Sequence, residues 1–259
     1  MITSNERRVL ADLVHIVNSL DLPIILVGAG AMLLIFDQKM GEGRGTKDWD
    51  VAISIDSWKT YQNLRSFLTT GDSPKFKSTN ILHKFIHIAT DIEVDIVPFG
   101  AISEPNQEII WSDSGNPMSV SGFDEALLHA KPILIDDFEI QVVDTPALIV
   151  LKIFAWSDRR ERTNKDLEDI DFILSKYEDD ERVYAELANE LADGVVDFLD
   201  ANIYLLGQDI HNILQARTLS ALDALLSTLI ESLDANRTRS LAYRLNVLQQ
   251  GIRSLHHKP

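Results

Sequence analysis

An α+β chain is what the sequence predicts: a mixed β-sheet with flanking helices over residues 1–145, then a helical domain over residues 146–259. Three observations carry this. Ile24-Ile25-Leu26-Val27 is a short apolar run rich in β-branched residues, as a buried strand requires. Asp48 to Ile53 and Ile92 to Val97 follow the period of two that splits a strand into a wet and a dry face. From Leu167 onward only helical spacings remain.

Taken in order, residues 5–20 form a first helix, with Val9, Leu10, Leu13, Ile16, Val17 and Leu20 on one side, ended by Asp21-Leu22-Pro23. The strand of residues 24–27 runs into Gly28-Ala29-Gly30, where glycine permits a tight turn and a close backbone approach. A helix from Ala31 to about Lys39 follows, so its N-terminal N–H groups point at the turn. Residues 40–45 are a glycine-rich connector leading to a second strand at residues 48–55. Residues 57–68 read as a helix and 69–79 as a polar loop. A hairpin through Thr90-Asp91 joins strands at 84–89 and 92–99. A loop-rich stretch over 100–122 holds one apolar piece, Ile109-Ile110-Trp111. A short helix at 124–129, a hairpin through Asp136-Asp137, and a helix opened by Asp144-Thr145-Pro146 complete the first domain and begin the second. Further helices are expected at 166–176, 183–191, 195–206 (closed by Gly207), 210–233 and 239–255, with a disordered end at 256–259.

Composition narrows the function classes. Apolar residues at 45% and charged residues at 25% are ordinary for a globular protein, and 259 residues suffice for a sizeable core. The absence of cysteine excludes disulfides, thiolate zinc sites and cysteine nucleophiles. No apolar run is long enough to span a bilayer and no secretory leader is visible, so a cytoplasmic location and no membrane partner are expected. A net charge of −16 argues against gripping a long nucleic acid by its backbone, and any such contact must be local. Lys152, Arg159, Arg160, Arg162 and Lys165 form one basic stretch; without the upstream motifs a solvated helix end and loop is the preferred explanation.

Asp48 and Asp50 share one face of their strand, as do Glu93 and Asp95 of theirs. Carboxylates held that close repel one another unless a cation sits between them, and hard divalent cations take oxygen ligands. Each feature alone is weak: Asp-x-Asp is common, and Gly28-x-Gly30 is too short for a dinucleotide or Walker loop. His83 and His87 lie four apart on a strand, where that spacing is not a metal pair.

The combination resembles the nucleotidyltransferase superfamily and, within it, the AbiEii-type toxin nucleotidyltransferases of type IV toxin–antitoxin systems. The matching residues are Gly28-Ala29-Gly30-Ala31, Arg44-x-Thr46-x-Asp48-x-Asp50, Glu93-x-Asp95, the helix around Lys152, and Lys165-Asp166-Leu167-Glu168-Asp169; they cover about the first two thirds of the chain. The resemblance implies a nucleotidyltransferase fold and transfer of an NMP from an NTP such as ATP to an acceptor hydroxyl on an RNA or tRNA end or a protein. It implies Mg²⁺ or Mn²⁺ held by Asp48, Asp50 and Asp95, with Asp95 steering the hydroxyl proton and Glu93 outside that set. Gly28, Ala29 and Gly30 become a phosphate cradle, Arg44 and Thr46 nucleotide contacts, Lys152 a charge for the triphosphate, and Asp166 and Asp169 groups that orient Lys152 or Arg159. A separately encoded antitoxin would be the partner. Many members carry a serine or threonine in the glycine turn where this chain has Gly30 and Ala31. Two alternatives therefore stand beside it: a nucleotidyltransferase of small antibiotic-type molecules, and a catalytically idle fold used as a binding module.

Overall fold

The computed structural model describes residues 2–40, 48–177, 180–233 and 240–255. Its first unit, Met1–Asp144, is built on a seven-stranded mixed sheet. Helix α1 (Ser4–Ser19) starts at a capping box, the Thr3 hydroxyl accepting from Glu6 N–H while Glu6 accepts from Thr3 N–H, and buries Val9, Leu10, Leu13, Val14 and Val17. Strand β1 (Ile24–Val27) is buried along its whole length, as a central strand must be. Helix α2 (Gly28–Met40) starts directly at Gly28, earlier than the expected Ala31.

Strand β2 (Asp48–Ser54) is followed by α3 (Trp58–Thr69), whose N-cap Ser57 accepts from Thr60 N–H. Then come β3 (Phe76–Ser78), β4 (Lys84–His87) and β5 (Glu93–Phe99). Strands β6 (Glu108–Ile110) and β7 (Pro117–Ser119) form a separate two-stranded ribbon. Helix α4 (Phe123–His129) and the hairpin of β8 (Lys131–Ile135) and β9 (Phe138–Val142) complete the unit. The main sheet runs β3-β4-β5-β2-β1-β9-β8. Strand β1 is antiparallel to β2 and parallel to β9, and β2 is parallel to β5.

The polar loop expected over 69–79 therefore contains an edge strand. With three residues, of which only Phe76 is buried, β3 is too short to show a period. The ribbon of β6 and β7 escaped notice for the same reason.

The second unit, Thr145–Pro259, is helical among its described residues. It comprises α5 (Thr145–Arg159), α6 (Lys165–Lys176), α7 (Asp180–Glu186), α8 (Ala188–Ala192), α9 (Ala201–Ile213), α10 (Ala216–Ser232) and α11 (Leu241–Ser254). Three expectations are corrected. The helix placed at 183–191 is two helices broken at Leu187, and that placed at 195–206 starts only at Ala201, after a 3-10 turn at Phe198–Asp200. The helix placed at 210–233 is the end of α9 plus α10, separated by Leu214 and Gln215 in extended backbone.

Gly207 does not close a helix; it lies inside α9 and is buried. A Cβ there would stand 2.3 Å from the Leu248 carbonyl oxygen, and one on Gly251 would stand 2.1 Å from the Tyr204 carbonyl oxygen. These two glycines let the backbones of α9 and α11 touch, which a sequence rule for glycine as a helix stop cannot anticipate. The expected connector beyond Met40 and the expected disordered end at 256–259 lie outside the described residues.

Candidate active site

The register of three strands assembles the acidic site of the first unit. Because β1 and β2 are antiparallel with Val27 opposite Asp50, the turn that leaves β1 lies at the edge of the sheet where β2 begins. Because β2 and β5 are parallel, Asp48 stands level with Glu93 and Asp50 with Asp95, at the same edge. Trp49, Val51, Val94 and Ile96 point the other way and are fully buried, which fixes the face on which the acids stand.

Gly28 is held against this acidic row. Its φ is +63°, and a Cβ on it would meet Asp50 Oδ2 at 2.2 Å. A Cβ on Gly30 would meet the Trp49 ring at 2.5 Å. The turn residues are thus small because side chains of β2 fill the space where theirs would be.

Strand β4 brings up Lys84, with His83 just before it. Lys84 is paired across the sheet with Asp95. Its Nζ donates to Glu93 Oε2 at 2.6 Å and stands 3.2 Å from Asp95 Oδ1. Asp95 Oδ1 is out of contact with solvent and receives no properly directed hydrogen bond, so the contact to Lys84 is an ion pair only. Burial raises the Asp95 carboxyl above the usual aspartate range, against the lowering pull of the Lys84 and His83 charges, and Asp48 pushes it up further. Burial likewise lowers the His83 imidazole, whose ring lies 4.8 Å from that of Trp111. For Lys84, burial pulls the ammonium down, but Glu93 and Asp95 outweigh it and hold it above the ordinary lysine value. A turn at Thr90-Asp91 would set residue 84 opposite residue 97; β4 instead ends at His87, and the register, shifted by two, sets Lys84 opposite Asp95.

Among the described residues, no three acidic or histidine side chains are gathered tightly enough to make a ready metal cage. The donor chemistry nevertheless suits a divalent cation. Asp48, Asp50 and Asp95 offer hard oxygen atoms from two adjacent strands, and Asp95 Oδ1 is a buried anionic atom lacking a hydrogen bond. Arg44 and Thr46, named as nucleotide contacts, lie outside the described residues.

The second unit carries the other named residues. Lys152, on α5 among Leu148, Ile149 and Leu151, is buried, and its Nζ donates to Asp169 Oδ2 at 2.6 Å. Asp166 is fully buried; its two oxygens accept from Arg159 Nε and a terminal guanidinium nitrogen, each at 2.6 Å, and Lys152 Nζ is 3.8 Å away. This is a closed network in which the buried carboxylate is met by a fork of donors.

The fold is that of a nucleotidyltransferase, and the protein is a transferase. The chain belongs to the AbiEii family: the model described as "Nucleotidyl transferase AbiEii toxin, Type IV TA system" matches residues 8–235. The match extends well past the two thirds marked by the sequence motifs. No curated protein sequence matches. Among solved structures the chain is similar to an antigenic nucleotidyltransferase-like protein from Paracoccidioides brasiliensis, at 17% identity and a TM-score of 0.44, over 78% of this chain and 94% of that one. It is also similar to the antibiotic-resistance factor ANT(2'')-Ia, at 12% identity and a TM-score of 0.40, over 75% of this chain and 95% of that one. A third is the cyclic dinucleotide synthase CdnE of Elizabethkingia meningoseptica, at 11% identity and a TM-score of 0.28, over 97% of this chain and 92% of that one. Among the described residues no helix is long and apolar enough to cross a membrane.

Proposed function

We propose that the protein moves an NMP group from an NTP to the hydroxyl of an RNA or tRNA end or of a protein, as the toxin of a toxin–antitoxin pair. The observation that carries this is the level pairing of Asp50 with Asp95, with the Gly28 turn packed against Asp50. Asp48, Asp50 and Asp95 would hold Mg²⁺ or Mn²⁺, which when bound neutralises phosphate charge and acidifies the attacking hydroxyl.

The chain's own groups supply the rest. The backbone N–H groups of Gly28, Ala29 and Gly30 at the start of α2 bind a phosphate of the triphosphate, although the turn itself carries no serine or threonine. Asp95, its carboxyl raised by burial, accepts the proton of the acceptor hydroxyl as its oxygen bonds to the α-phosphorus and pyrophosphate leaves. Lys152 presents positive charge to the triphosphate, and Asp169 and Asp166 orient Lys152 and Arg159.

An antitoxin partner follows from the family, and a cytoplasmic location from the reaction's need for NTP. Binding of each NTP with and without Mg²⁺, for the wild type and Asp50→Asn, tests the reading. Mg²⁺-dependent binding lost in Asp50→Asn supports it; binding indifferent to both leaves an idle fold.

A further inference from the structure

Lys84 reaches two carboxylates at once. It is largely buried, its Nζ lies 2.6 Å from Glu93 Oε2 and 3.2 Å from Asp95 Oδ1, and only the Glu93 contact is a hydrogen bond. The cross-strand register, with Lys84 opposite Asp95 and Ile86 opposite Glu93, leaves the ammonium between residues 93 and 95 on one face of β5. Glu93 is the more exposed acid, with 45% of its side chain accessible against 20% for Asp95.

We propose that Lys84 is a built-in counter-cation that competes with the divalent cation for Asp95, and that Glu93 is the anchor that holds its ammonium aside. This rests on the reading of Asp95 as a metal ligand. An ammonium and a divalent cation drawing on the same oxygen repel each other, and in a half-buried site that repulsion is poorly screened. The stronger hold of Glu93 on Lys84 lets Asp95 turn to the metal without stranding a buried charge. Glu93 thus acts on the reaction without touching its metal, and Lys84 sets the cation concentration at which the site fills.

Mn²⁺ binding to the full chain, read from the free-ion electron paramagnetic resonance signal, tests this without reference to activity. Lys84→Gln should tighten Mn²⁺ binding roughly three- to tenfold. Glu93→Gln should weaken it several-fold, because the freed ammonium settles on Asp95, and the double variant should bind as Lys84→Gln does. Lys77→Gln, which removes an exposed lysine of β3 paired with Asp91, should leave binding unchanged. Lys84→Met repeats the test with a different side chain, and thermal melting confirms that each variant is folded.

Equal or weaker binding in both Lys84 variants overturns the proposal. So does a Glu93→Gln loss of equal size in the Lys84→Gln background, which would make Glu93 a ligand itself. Mn²⁺ binding that Asp95→Asn leaves untouched, or that is absent from every variant, overturns the metal reading of the site as well. If Lys84 instead contacted phosphate, Lys84→Gln would lower NTP affinity and leave Mn²⁺ affinity unchanged, which overturns the proposal.

Discussion

On β2 and β5, Asp50 and Asp95 are brought level by backbone register, and the Asp95 oxygen nearest Lys84 lacks a directed hydrogen bond. On α5 and α6, Asp166 and Asp169 are each closed by a cation at 2.6 Å, with Asp166 gripped by two nitrogens of Arg159. Both groups are acidic, buried in part and close to a lysine, yet they differ in what they can still do. A carboxylate fully met by guanidinium gains little from another ligand, whereas one that burial has left short of donors gains much. The strand site is thus suited to chemistry and the helix site to holding Lys152 and Arg159 in place.

The largest effect should come from breaking the strand site. Asp48→Ala with Asp50→Ala should lower transfer by roughly a thousandfold or more, since several kcal/mol of charge stabilisation disappear. The melting temperature should hold or rise, because like charges are removed. Asp166→Ala should do the reverse. It leaves Lys152 and Arg159 without the buried carboxylate and should cost about 3 kcal/mol in urea unfolding, the half-exposed Arg159 recovering some hydration.

Gly28→Ala sharpens the boundary between the two kinds of site. The added methyl falls 2.2 Å from Asp50 Oδ2 at a φ of +63°, so stability should fall by about 1–3 kcal/mol. Metal binding should be lost with it, although no carboxylate has been removed.

The smallest effect concerns pH. Burial lowers the His83 pKa below the ordinary 6.5, so the folded chain binds that proton less readily than the unfolded chain. Its contribution is full above pH 6.5 and is lost as the pH falls below that toward the lowered folded value. Denaturant unfolding of the wild type and His83→Asn on either side of that pH should show a shallower acid loss in the variant.

Much of the strand site was legible in the sequence because a period of two commits alternate residues to a face. Trp49 and Val51, with Val94 and Ile96, could only be core, and that fixed where Asp48, Asp50, Glu93 and Asp95 stand. The glycine turn was legible by its position after a buried strand, but the reason for Gly28, a side chain of β2 filling its Cβ space, is a tertiary fact. Lys84 was missed although the hairpin was expected, because the expected turn at Thr90-Asp91 sets residue 84 opposite 97, and only the observed register, two residues different, brings it to Asp95. Gly207 misled because local rules treat glycine as a helix end, whereas here Leu248 on another helix demands it. The break at Leu187 had no turn residue to announce it, since Leu187 is a fully buried core residue.

The most direct test of the central claim is incubation with each NTP labelled at the α-phosphate, Mg²⁺ or Mn²⁺ and total RNA, beside the Asp48→Ala/Asp50→Ala variant. The account predicts label moving to an RNA or protein band with the wild type alone, which would name the base and the acceptor together. Label transferred equally by the variant, or by neither protein despite metal-dependent NTP binding, would contradict it.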